Sequence, residues 1–371
     1  MFLSVNSFLT AWRNGQTEFV LHTSGSTGPP KPITLTQAQM QASAMLTGQT
    51  FGLTPGDRAL VCLNTTYVAG TMMLVRGEVL GLELIIVEPT SNPLAGFSAD
   101  EHLDFAAFVP LQLQTILADV DPATGLPAKL PVLNRMKAIL VGGAATSPAL
   151  EQALRVISAP VFATYGMTET VSHIAVRRLN GPDATDYFTA LTGVALAADE
   201  RGCLNIRAAA TNFDLVQTND VVEFLDSPTH LPDETTPGET ARKFRLRGRV
   251  DSVINSGGVK IQPEAVERVI QQTLAGLGIS PMPRLFVAGL PDERLGERVV
   301  LFIDQLAISN EPLPITATGL MALLTANWSL LIDQVGQYAV PKDVIFVPTF
   351  IETPTGKIDR KATLDLVKNE K

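Results

Sequence analysis

Short apolar runs alternate with longer amphipathic segments through the first half of the chain. The apolar runs, which are typical of strands buried on both faces, are Arg58–Leu63, Leu82–Val87, Phe105–Val109, Ala138–Val141 and Val161–Thr164. Apolar residues at helical spacing predict helices over Gln37–Phe51, where Thr36 is a suitable N-cap, and over Ala69–Gly81. Strands that alternate with helices predict a parallel sheet covered by helices on both sides.

A different pattern begins near Val176, where the apolar runs become shorter and turn residues separate them. The short runs that predict antiparallel strands are Leu191–Ala197, Cys203–Ala208 and Val221–Phe224. The polar stretch Asp226–Thr240 predicts an exposed hairpin tip. These features indicate a β-rich unit over residues 177–250 that follows an α/β unit over residues 1–176.

The remaining chain, residues 251–371, predicts a smaller domain. Pro263 suits the first turn of a helix, and a second helix is predicted over Leu320–Val335. Further strands are predicted at Leu285–Ala288, Val299–Ile303 and Asp343–Pro348. The predicted fold is therefore α/β, with a large N-terminal domain (1–250) that has a mostly parallel sheet and a small antiparallel β unit, and a smaller α+β C-terminal domain.

Composition excludes several classes of protein. Of 371 residues, 46% are hydrophobic and 18% are charged, which supports large buried cores and excludes global disorder. The net charge of −9 argues against nucleic-acid binding, which needs a basic face. No stretch is long and apolar enough to span a membrane, and Cys62 and Cys203 are too few for a disulfide framework or a zinc site. We expect a cytoplasmic protein, because the N-terminus also lacks a basic leader region.

Candidate chemistry begins after the predicted strand Glu18–His22, in a loop rich in glycine and hydroxyl residues. The loop reads Thr23-Ser24-Gly25-Ser26-Thr27-Gly28-Pro29-Pro30-Lys31. Glycines let backbone N–H groups turn to one side, and hydroxyls add donors, so the loop suits phosphate oxygens. An ordinary surface turn has a similar composition. The segment is not a Walker A motif, because two prolines separate Gly28 from Lys31.

Two more loops follow predicted strands. They are Gly142-Gly143-Ala144 and Tyr165-Gly166-Met167-Thr168-Glu169. Ligands of α/β sheets bind outside the carboxyl ends of the strands, so we expect all three loops to converge on one rim of the sheet.

In their order and spacing, these loops resemble the motif series of the adenylate-forming acyl-CoA synthetase superfamily, from Val20 to Lys361. The similar segments are Thr23–Lys31 (phosphate loop), Tyr165–Glu169 (Tyr-Gly-x-Thr-Glu motif), Gln217–Asp220 (ribose motif), Gly248–Asp251 (hinge), Gly257–Ile261 (glycine loop) and Pro354–Lys357 (terminal lysine loop). The resemblance implies ATP, Mg²⁺ and, as co-substrate, CoA. It also implies a two-step reaction, in which a small-molecule carboxylic acid forms an acyl-adenylate and the CoA thiol then displaces AMP.

The resemblance implies roles for single residues. The nucleotide- and CoA-binding candidates are Thr23, Ser24, Gly25, Ser26, Thr27, Gly28, Lys31, Gly143, Tyr165, Gly166, Asp220, Arg249 and Gly258. Among these, Asp220 would accept the ribose hydroxyls and Tyr165 would offer its ring to adenine, while Lys31 either assists the phosphate loop or pairs with a carboxylate. Glu169 would hold Mg²⁺, and Thr168 would bond the α-phosphate.

Lys357 is implied as the residue that neutralises charge between the acid and the α-phosphate; a solvated lysine near the chain end is the ordinary alternative. Asp251 matches the hinge about which the C-terminal domain rotates between the two steps. Gly258 lies in the loop that would line the pantetheine channel. The basic run Arg242–Arg249 contains Arg249 on the nucleotide side of the hinge, and it has a second interpretation as a solvated strand face.

The candidates for the acid pocket are Tyr67, Gly70, Arg76, Gly142, Ser172 and His173. Arg76 lies in an apolar predicted helix, where a charge needs a partner. We favour an ion pair with Glu78 or Glu83; the functional alternative is capture of the second carboxylate of a diacid.

Only 22 residues precede the phosphate loop, fewer than superfamily members usually carry. In this the chain resembles compact o-succinylbenzoate–CoA ligases of menaquinone synthesis, although these often have histidine where Tyr67 stands. The surface that a missing N-terminal subdomain would expose predicts a homodimer. Two other functions stay open: adenylation of another aryl or fatty acid for CoA or a carrier protein, and non-catalytic nucleotide binding.

Overall fold

The computed structural model describes residues 4–23, 31–225, 242–279, 282–305, 316–353 and 357–369. The predicted hairpin tip Asp226–Thr240 and the middle of the glycine-rich loop, which contains Ser24, Gly25, Ser26, Thr27 and Gly28, lie outside the described residues.

The chain begins with a helix and a two-stranded hairpin. Helix α1 (Val5–Arg13) starts at Ser4, whose hydroxyl accepts the N–H of Ser7. Strands β1 (Glu18–His22) and β2 (Pro32–Thr36) pair with each other antiparallel, apart from the main sheet. The strand before the glycine-rich loop therefore does not belong to the sheet whose strands precede the other two candidate loops. The physical reason is the short connection, which can close an antiparallel hairpin but cannot make the crossover that a parallel pair needs.

One large mixed sheet organises the N-terminal part. Its parallel strands are β3 (Arg58–Val61), β4 (Glu83–Ile86), β5 (Phe105–Phe108), β6 (Ala138–Val141) and β7 (Val161–Met167). Its antiparallel strands are β8 (Ser172–Arg178), β9 (Phe188–Ala190), β10 (Ala195–Ala198), β11 (Cys203–Arg207), β12 (Val216–Phe224) and β13 (Lys243–Arg249). Among the described residues the order is β10-β11-β12-β13-β9-β8-β7-β6-β5-β3-β4. The antiparallel pairing of β7 with β8 joins the two parts into one sheet.

Helices cover both faces of the parallel strands, as predicted. They are α2 (Gln37–Phe51), α3 (Val68–Leu80), α4 (Pro110–Ala118), α5 (Leu130–Asn134) and α6 (Pro148–Ala153). Leu60 of β3 packs in the core that α4, α5 and α6 cover, whereas its neighbours Ala59 and Val61 pack in the core under α2 and α3. Alternate residues of a strand face opposite sides of a sheet, so the continuous apolar runs supply both cores.

The C-terminal part is a separate α+β unit. Its strands are β14 (Ile254–Ser256), β15 (Val259–Ile261), β16 (Leu285–Asp292), β17 (Gly296–Asp304) and β18 (Asp343–Val347), and its helices are α7 (Pro263–Gly276), α8 (Ala317–Ala326), α9 (Trp328–Val335) and α10 (Arg360–Asn369). Strand β18 pairs parallel with β17, and β16 pairs antiparallel with it. Helix α7 contacts α6 and β13 of the N-terminal part.

The α/β fold class is confirmed, and two local predictions are wrong. The single helix predicted over Leu320–Val335 is two helices that meet at Asn327, whose side-chain amide donates to the carbonyl of Leu323. The strand predicted over Leu191–Ala197 contains a turn in which the N–H of Val194 donates to the carbonyl of Leu191. No helix in the described segments is long and apolar enough to cross a membrane.

Candidate active site

Tyr165 near the end of β7, Asp220 in the middle of β12 and Arg249 at the end of β13 form a hydrogen-bonded group. The Tyr165 hydroxyl donates to Asp220 Oδ2 at 2.7 Å, and Arg249 Nη1 lies 3.4 Å from Asp220 Oδ1. The Tyr165 ring is only 8% exposed and packs edge-on against Phe188 and Phe244. Burial first, and the Asp220 charge second, raise the pKa of Tyr165, so its hydroxyl stays a donor.

The Arg249 guanidinium also holds the predicted hinge residue. Its Nε and Nη2 donate to the two carboxylate oxygens of Asp251 at 2.8 and 2.7 Å, and the Asn219 amide donates to Asp251 Oδ2. Together these contacts lower the pKa of Asp251, with the bond from Arg249 as the largest cause. Arg249 therefore links Asp220, the carboxylate predicted to bind ribose, to Asp251, the predicted hinge residue.

Lys357 reaches the same group from the C-terminal part. It is half-buried, and burial, followed by the positive charge of Arg249, lowers its pKa against the opposing effect of Asp220. In the described part of the chain its ammonium has no hydrogen-bond or ion-pair partner. Lys357 of the C-terminal part therefore lies within electrostatic range of Asp220 and Arg249.

The Thr168–Glu169 segment lies in a single 3₁₀ turn, Thr168–Thr170, directly after β7. Strand β2 contacts this turn, which places the base of the glycine-rich hairpin beside it. At that base the N–H of Thr23 donates to the carbonyl of Lys31 at 2.9 Å, and the N–H of Lys31 donates to the Thr23 hydroxyl. The side chains of Glu169 and Lys31 have no hydrogen-bond or ion-pair partner among the described residues, so the predicted pairing of Lys31 with a carboxylate is not seen.

Gly166 allows a close approach that a larger residue would prevent. A Cβ at Gly166 would lie 2.0 Å from the carbonyl oxygen of Ser172 on the neighbouring strand. The backbone is strained where β8 begins, because Val171 and Ser172 have φ values of +52° and +90°. This geometry turns the Ser172 side chain toward α3.

Arg76 occupies the interior between α2, α3 and β8 and is 1% exposed. Its Nε donates to the Thr47 hydroxyl at 3.2 Å, and its Nη2 donates to the Ser172 hydroxyl at 3.1 Å. Burial lowers the pKa of Arg76 to about 10, so it stays charged at neutral pH. No described carboxylate pairs with it.

The favoured sequence interpretation of Arg76 is therefore wrong. Glu78 pairs with Arg13, and Glu83 pairs with Arg58. Both glutamates lie toward the surface end of the helix and the next strand, whereas Arg76 points into the core.

His173 completes this cluster as a neutral side chain. Burial and the Arg76 charge lower its pKa well below the usual value. Because Arg76 Nη2 can only donate, His173 Nδ1, 3.4 Å away, must accept, and Nε2 then carries the proton toward the Thr47 hydroxyl. Thr47 was not predicted as a site residue. Its position four residues after Ser43 on the buried face of α2 is the only signal in the sequence.

The remaining predicted residues lie on two loops and at the start of α3. Gly142 and Gly143 follow β6, and a Cβ at Gly142 would lie 2.5 Å from the Thr164 hydroxyl. Tyr67 is half-buried at the start of α3, where a Cβ at Gly70 would lie 2.4 Å from the carbonyl oxygen of Asn64. Gly258 forms the turn between β14 and β15 with φ +81°.

Comparison with known proteins assigns the family. The model of the AMP-binding enzyme family matches residues 10–200, more than half of the chain, and the chain belongs to this family. The predictions of an adenylate-forming enzyme and of an AMP-forming acyl-CoA synthetase are confirmed. Together with the relatives that are named as CoA ligases, this family makes the chain an acid–CoA ligase.

Three similar proteins indicate the range of relatives. The crystal structure of an acyl-CoA synthetase (AMP-forming)/AMP-acid ligase II-like protein from Dyadobacter fermentans is 43% identical, covers 97% of this chain and 92% of that one, and has a TM-score of 0.57. A "Probable 2-succinylbenzoate–CoA ligase" of Mycobacterium tuberculosis is 28% identical over 92% of this chain and 82% of that protein. The O-succinylbenzoate coenzyme A synthetase of Bacillus subtilis, solved with ATP and magnesium, shares the fold at 19% identity, with a TM-score of 0.69 over 93% of this chain and 69% of that one.

Proposed function

We propose that this ligase activates a dicarboxylic acid of the o-succinylbenzoate type. The observation that carries the proposal is the buried Arg76 guanidinium, which has no carboxylate partner among the described residues. Placing an unpaired charge in the interior costs several kcal/mol, on the order of the desolvation of one ion. A ligand that brings its own carboxylate would supply the missing counterion. The relatives named as 2-succinylbenzoate–CoA ligases support this choice.

The neighbours of Arg76 fit a carboxylate. The Ser172 hydroxyl, half-buried beside Nη2, offers a donor at the edge of the cluster. His173 is neutral, so it adds no second positive charge that would have to be compensated. Because Arg76 itself is buried, the ligand carboxylate has to enter the interior next to Ser172.

In the first step, the carboxylate of the acid attacks the α-phosphorus of ATP, and pyrophosphate leaves. Asp220 would accept both ribose hydroxyls, because a carboxylate has about four lone-pair sites and Tyr165 and Arg249 occupy only two of them. Lys357 would neutralise the charge that develops between the acid and the α-phosphate. Its lowered pKa reflects partial burial next to Arg249, and the ammonium, which has no partner among the described residues, is available to an anion.

Mg²⁺ fits the side chains of the described residues. The Glu169 carboxylate has no other partner there, and no cluster of three or more metal-ligating side chains is present in those segments. Mg²⁺ in nucleotide sites takes one or two carboxylates and phosphate oxygens, so Glu169 alone is a sufficient protein ligand. When bound, the ion neutralises phosphate charge.

In the second step, the CoA thiol attacks the acyl carbon and AMP leaves. The side of the adenylate that Lys357 occupies would have to open for the thiol. Rotation about Asp251 would move Lys357 away and bring the Gly258 turn in, at the cost of the Arg249–Asp251 ion pair.

The test is pyrophosphate release over a panel of acids, with and without CoA. We expect o-succinylbenzoate to be used with a kcat/KM at least about 10-fold above that of 4-oxo-4-phenylbutanoate, which lacks the ring carboxylate. Equal use of both acids would contradict the dicarboxylate proposal. Release without CoA-thioester formation would favour a carrier protein as acceptor, and no release with any acid would favour a non-catalytic nucleotide-binding protein.

A further inference from the structure

The position of Lys357 is not set by its own side chain. Its ammonium has no hydrogen-bond or ion-pair partner in the segments that the structure describes. The backbone supplies one anchor, since the N–H of Thr353 donates to the Lys357 carbonyl at 2.8 Å and the N–H of Lys357 donates to the Thr353 hydroxyl at 3.2 Å. A second anchor has to hold the segment that follows.

Arg360, three residues later, provides that anchor. It begins α10, whose start is fixed by Asp359 through a hydrogen bond from the N–H of Ala362. The Arg360 guanidinium donates to Glu267 at 2.9 Å and lies 3.5 Å from Glu264. Both glutamates belong to the first half of α7.

The two glutamates are themselves held. Glu267 Oε1 accepts the N–H of Val287 on β16 at 2.8 Å, so its carboxylate connects α7, β16 and α10. The Ser252 hydroxyl lies 3.2 Å from Glu264 Oε1 and 3.0 Å from the carbonyl of Arg249, so its single proton is shared between these two acceptors. A polar chain therefore runs from the lysine loop through Arg360 and Glu264 back to Arg249.

Close packing at the domain junction keeps this chain in place. A Cβ at Gly248 would lie 2.6 Å from both Gln262 Oε1 and Glu264 Oε2. The start of α7 therefore sits directly on β13, one residue before Arg249. This contact ties the position of Glu264 to the ribose side of the site.

Stability alone is a weak explanation for these ion pairs. Pairs as exposed as Arg360–Glu264 contribute little to the free energy of unfolding, and a buried pair is often no more stable than apolar residues of the same size. Precise placement of Lys357 is a stronger explanation for these ion pairs, because displacement of a reacting group by about 1 Å can reduce a rate about 100-fold.

We infer that Arg360, clamped by Glu264 and Glu267, is a positioning residue that fixes Lys357 for adenylate formation. The inference rests on the role proposed for Lys357 and assigns Arg360 no contact with substrate. Since thioester formation does not use Lys357, loss of the clamp should affect one half-reaction only.

The test measures the two half-reactions of the full-length enzyme separately. In Arg360→Met we expect kcat for pyrophosphate release to fall about 10- to 100-fold, with KM for ATP and thioester formation from preformed acyl-adenylate within about twofold of the wild type. Glu267→Gln, which keeps the acceptor for the Val287 N–H, should reduce adenylate formation less, and Arg360→Lys should restore part of it.

Arg298→Met is the matched control. Arg298 lies in the same domain, its side chain has a similar exposure of 32% against 34% for Arg360, and it pairs with Asp343 away from the lysine loop. This variant should leave both half-reactions unchanged.

Three outcomes would overturn the inference. Equal loss of both half-reactions together with a lower Tm would show a purely structural role for Arg360. Wild-type adenylate formation by Arg360→Met, alongside an inactive Lys357→Met, would reject the clamp alone. Full adenylate formation by Lys357→Met would instead reject the role of Lys357, and the inference with it.

Discussion

The Arg76 guanidinium donates a 3.1 Å hydrogen bond to the Ser172 hydroxyl across 96 residues of sequence, and no described carboxylate neutralises it. Helix α3 supplies the arginine and the strained start of β8 supplies the serine. A charge kept in this environment indicates a function that outweighs its cost to folding.

Arg76→Met should therefore separate stability from activity. Because methionine fills similar space without a charge, we expect the free energy of unfolding to stay the same or to rise by up to about 3 kcal/mol. KM for o-succinylbenzoate should rise at least about 10-fold, while KM for 4-oxo-4-phenylbutanoate should not change. Urea denaturation and pyrophosphate release measure the two effects. A similar rise for both acids would indicate a structural arginine.

The lowered pKa of His173 should make the free energy of unfolding depend on pH. Its folded-state pKa is lowered by burial and by Arg76, so the unfolded chain binds a proton below about pH 6.5 and the folded chain does not. The stability that depends on the neutral imidazole is present above that pH and is lost as the pH falls below it. Urea denaturation at pH 5, 6, 7 and 8 should show a smaller loss toward low pH in His173→Gln than in the wild type. If the free energy of unfolding of both proteins falls equally with pH, His173 is not the group that causes the loss.

Tyr165→Phe tests how Asp220 is held. Removal of the 2.7 Å hydrogen bond leaves the carboxylate less well oriented toward the ribose, and hydrogen bonds to a charged group contribute about 1.5–3 kcal/mol. We expect KM for ATP to rise about 10-fold or more, with KM for the acid unchanged. Tyr187→Phe is the control, since Tyr187 lies under Lys243 and makes no contact with Asp220 in the described structure. An equal effect of both substitutions would show that Tyr165 acts through packing alone.

Gly166→Ala should disturb both folding and activity. The added methyl would meet the Ser172 carbonyl at 2.0 Å, and a backbone oxygen cannot move away as a flexible side chain can. We expect a destabilisation of about 1–3 kcal/mol or more and a loss of acid binding as Ser172 shifts away from Arg76. Gly96→Ala, where a Cβ meets nothing within 4 Å, should be neutral in the same thermal and kinetic measurements. A neutral Gly166→Ala would show that the two strands separate easily.

Lys357→Met should separate the two steps of the reaction. We expect pyrophosphate release to fall at least about 100-fold, because charge in the transition state is no longer neutralised, while CoA-thioester formation from preformed acyl-adenylate continues. Rapid-quench assays of each half-reaction measure the difference. If the two rates decrease equally, the lysine supports the fold of the lid and not the chemistry of the first step.

Much of the architecture could be predicted from local pattern. Apolar runs of strand length that alternate with helical periodicity require a sheet covered on both faces, and the order of the short motifs identified the family. Thr36 illustrates how local these signals are: its hydroxyl accepts the N–H of Gln39, and the Gln39 side chain accepts the N–H of Thr36, which fixes the start of α2.

Other features depend on contacts between distant segments. Sequence spacing placed two glutamates near Arg76, but helix rotation directs Glu78 to Arg13, while Glu83 on the next strand pairs with Arg58. The neutral tautomer of His173 likewise follows from the donor Arg76 on one side of its ring and the Thr47 hydroxyl on the other, both distant in sequence.

By itself the sequence determined which segments become strands, helices and glycine-rich turns, and which chemical groups are available. These properties arise from propensity, periodicity and capping within a few residues. The tertiary structure alone decided that Arg76 is buried with no carboxylate partner in the segments that the structure describes, that Tyr165 holds Asp220, and that Arg360 joins the lysine loop to α7. Charge pairing and desolvation depend on distances in space, which no local pattern encodes.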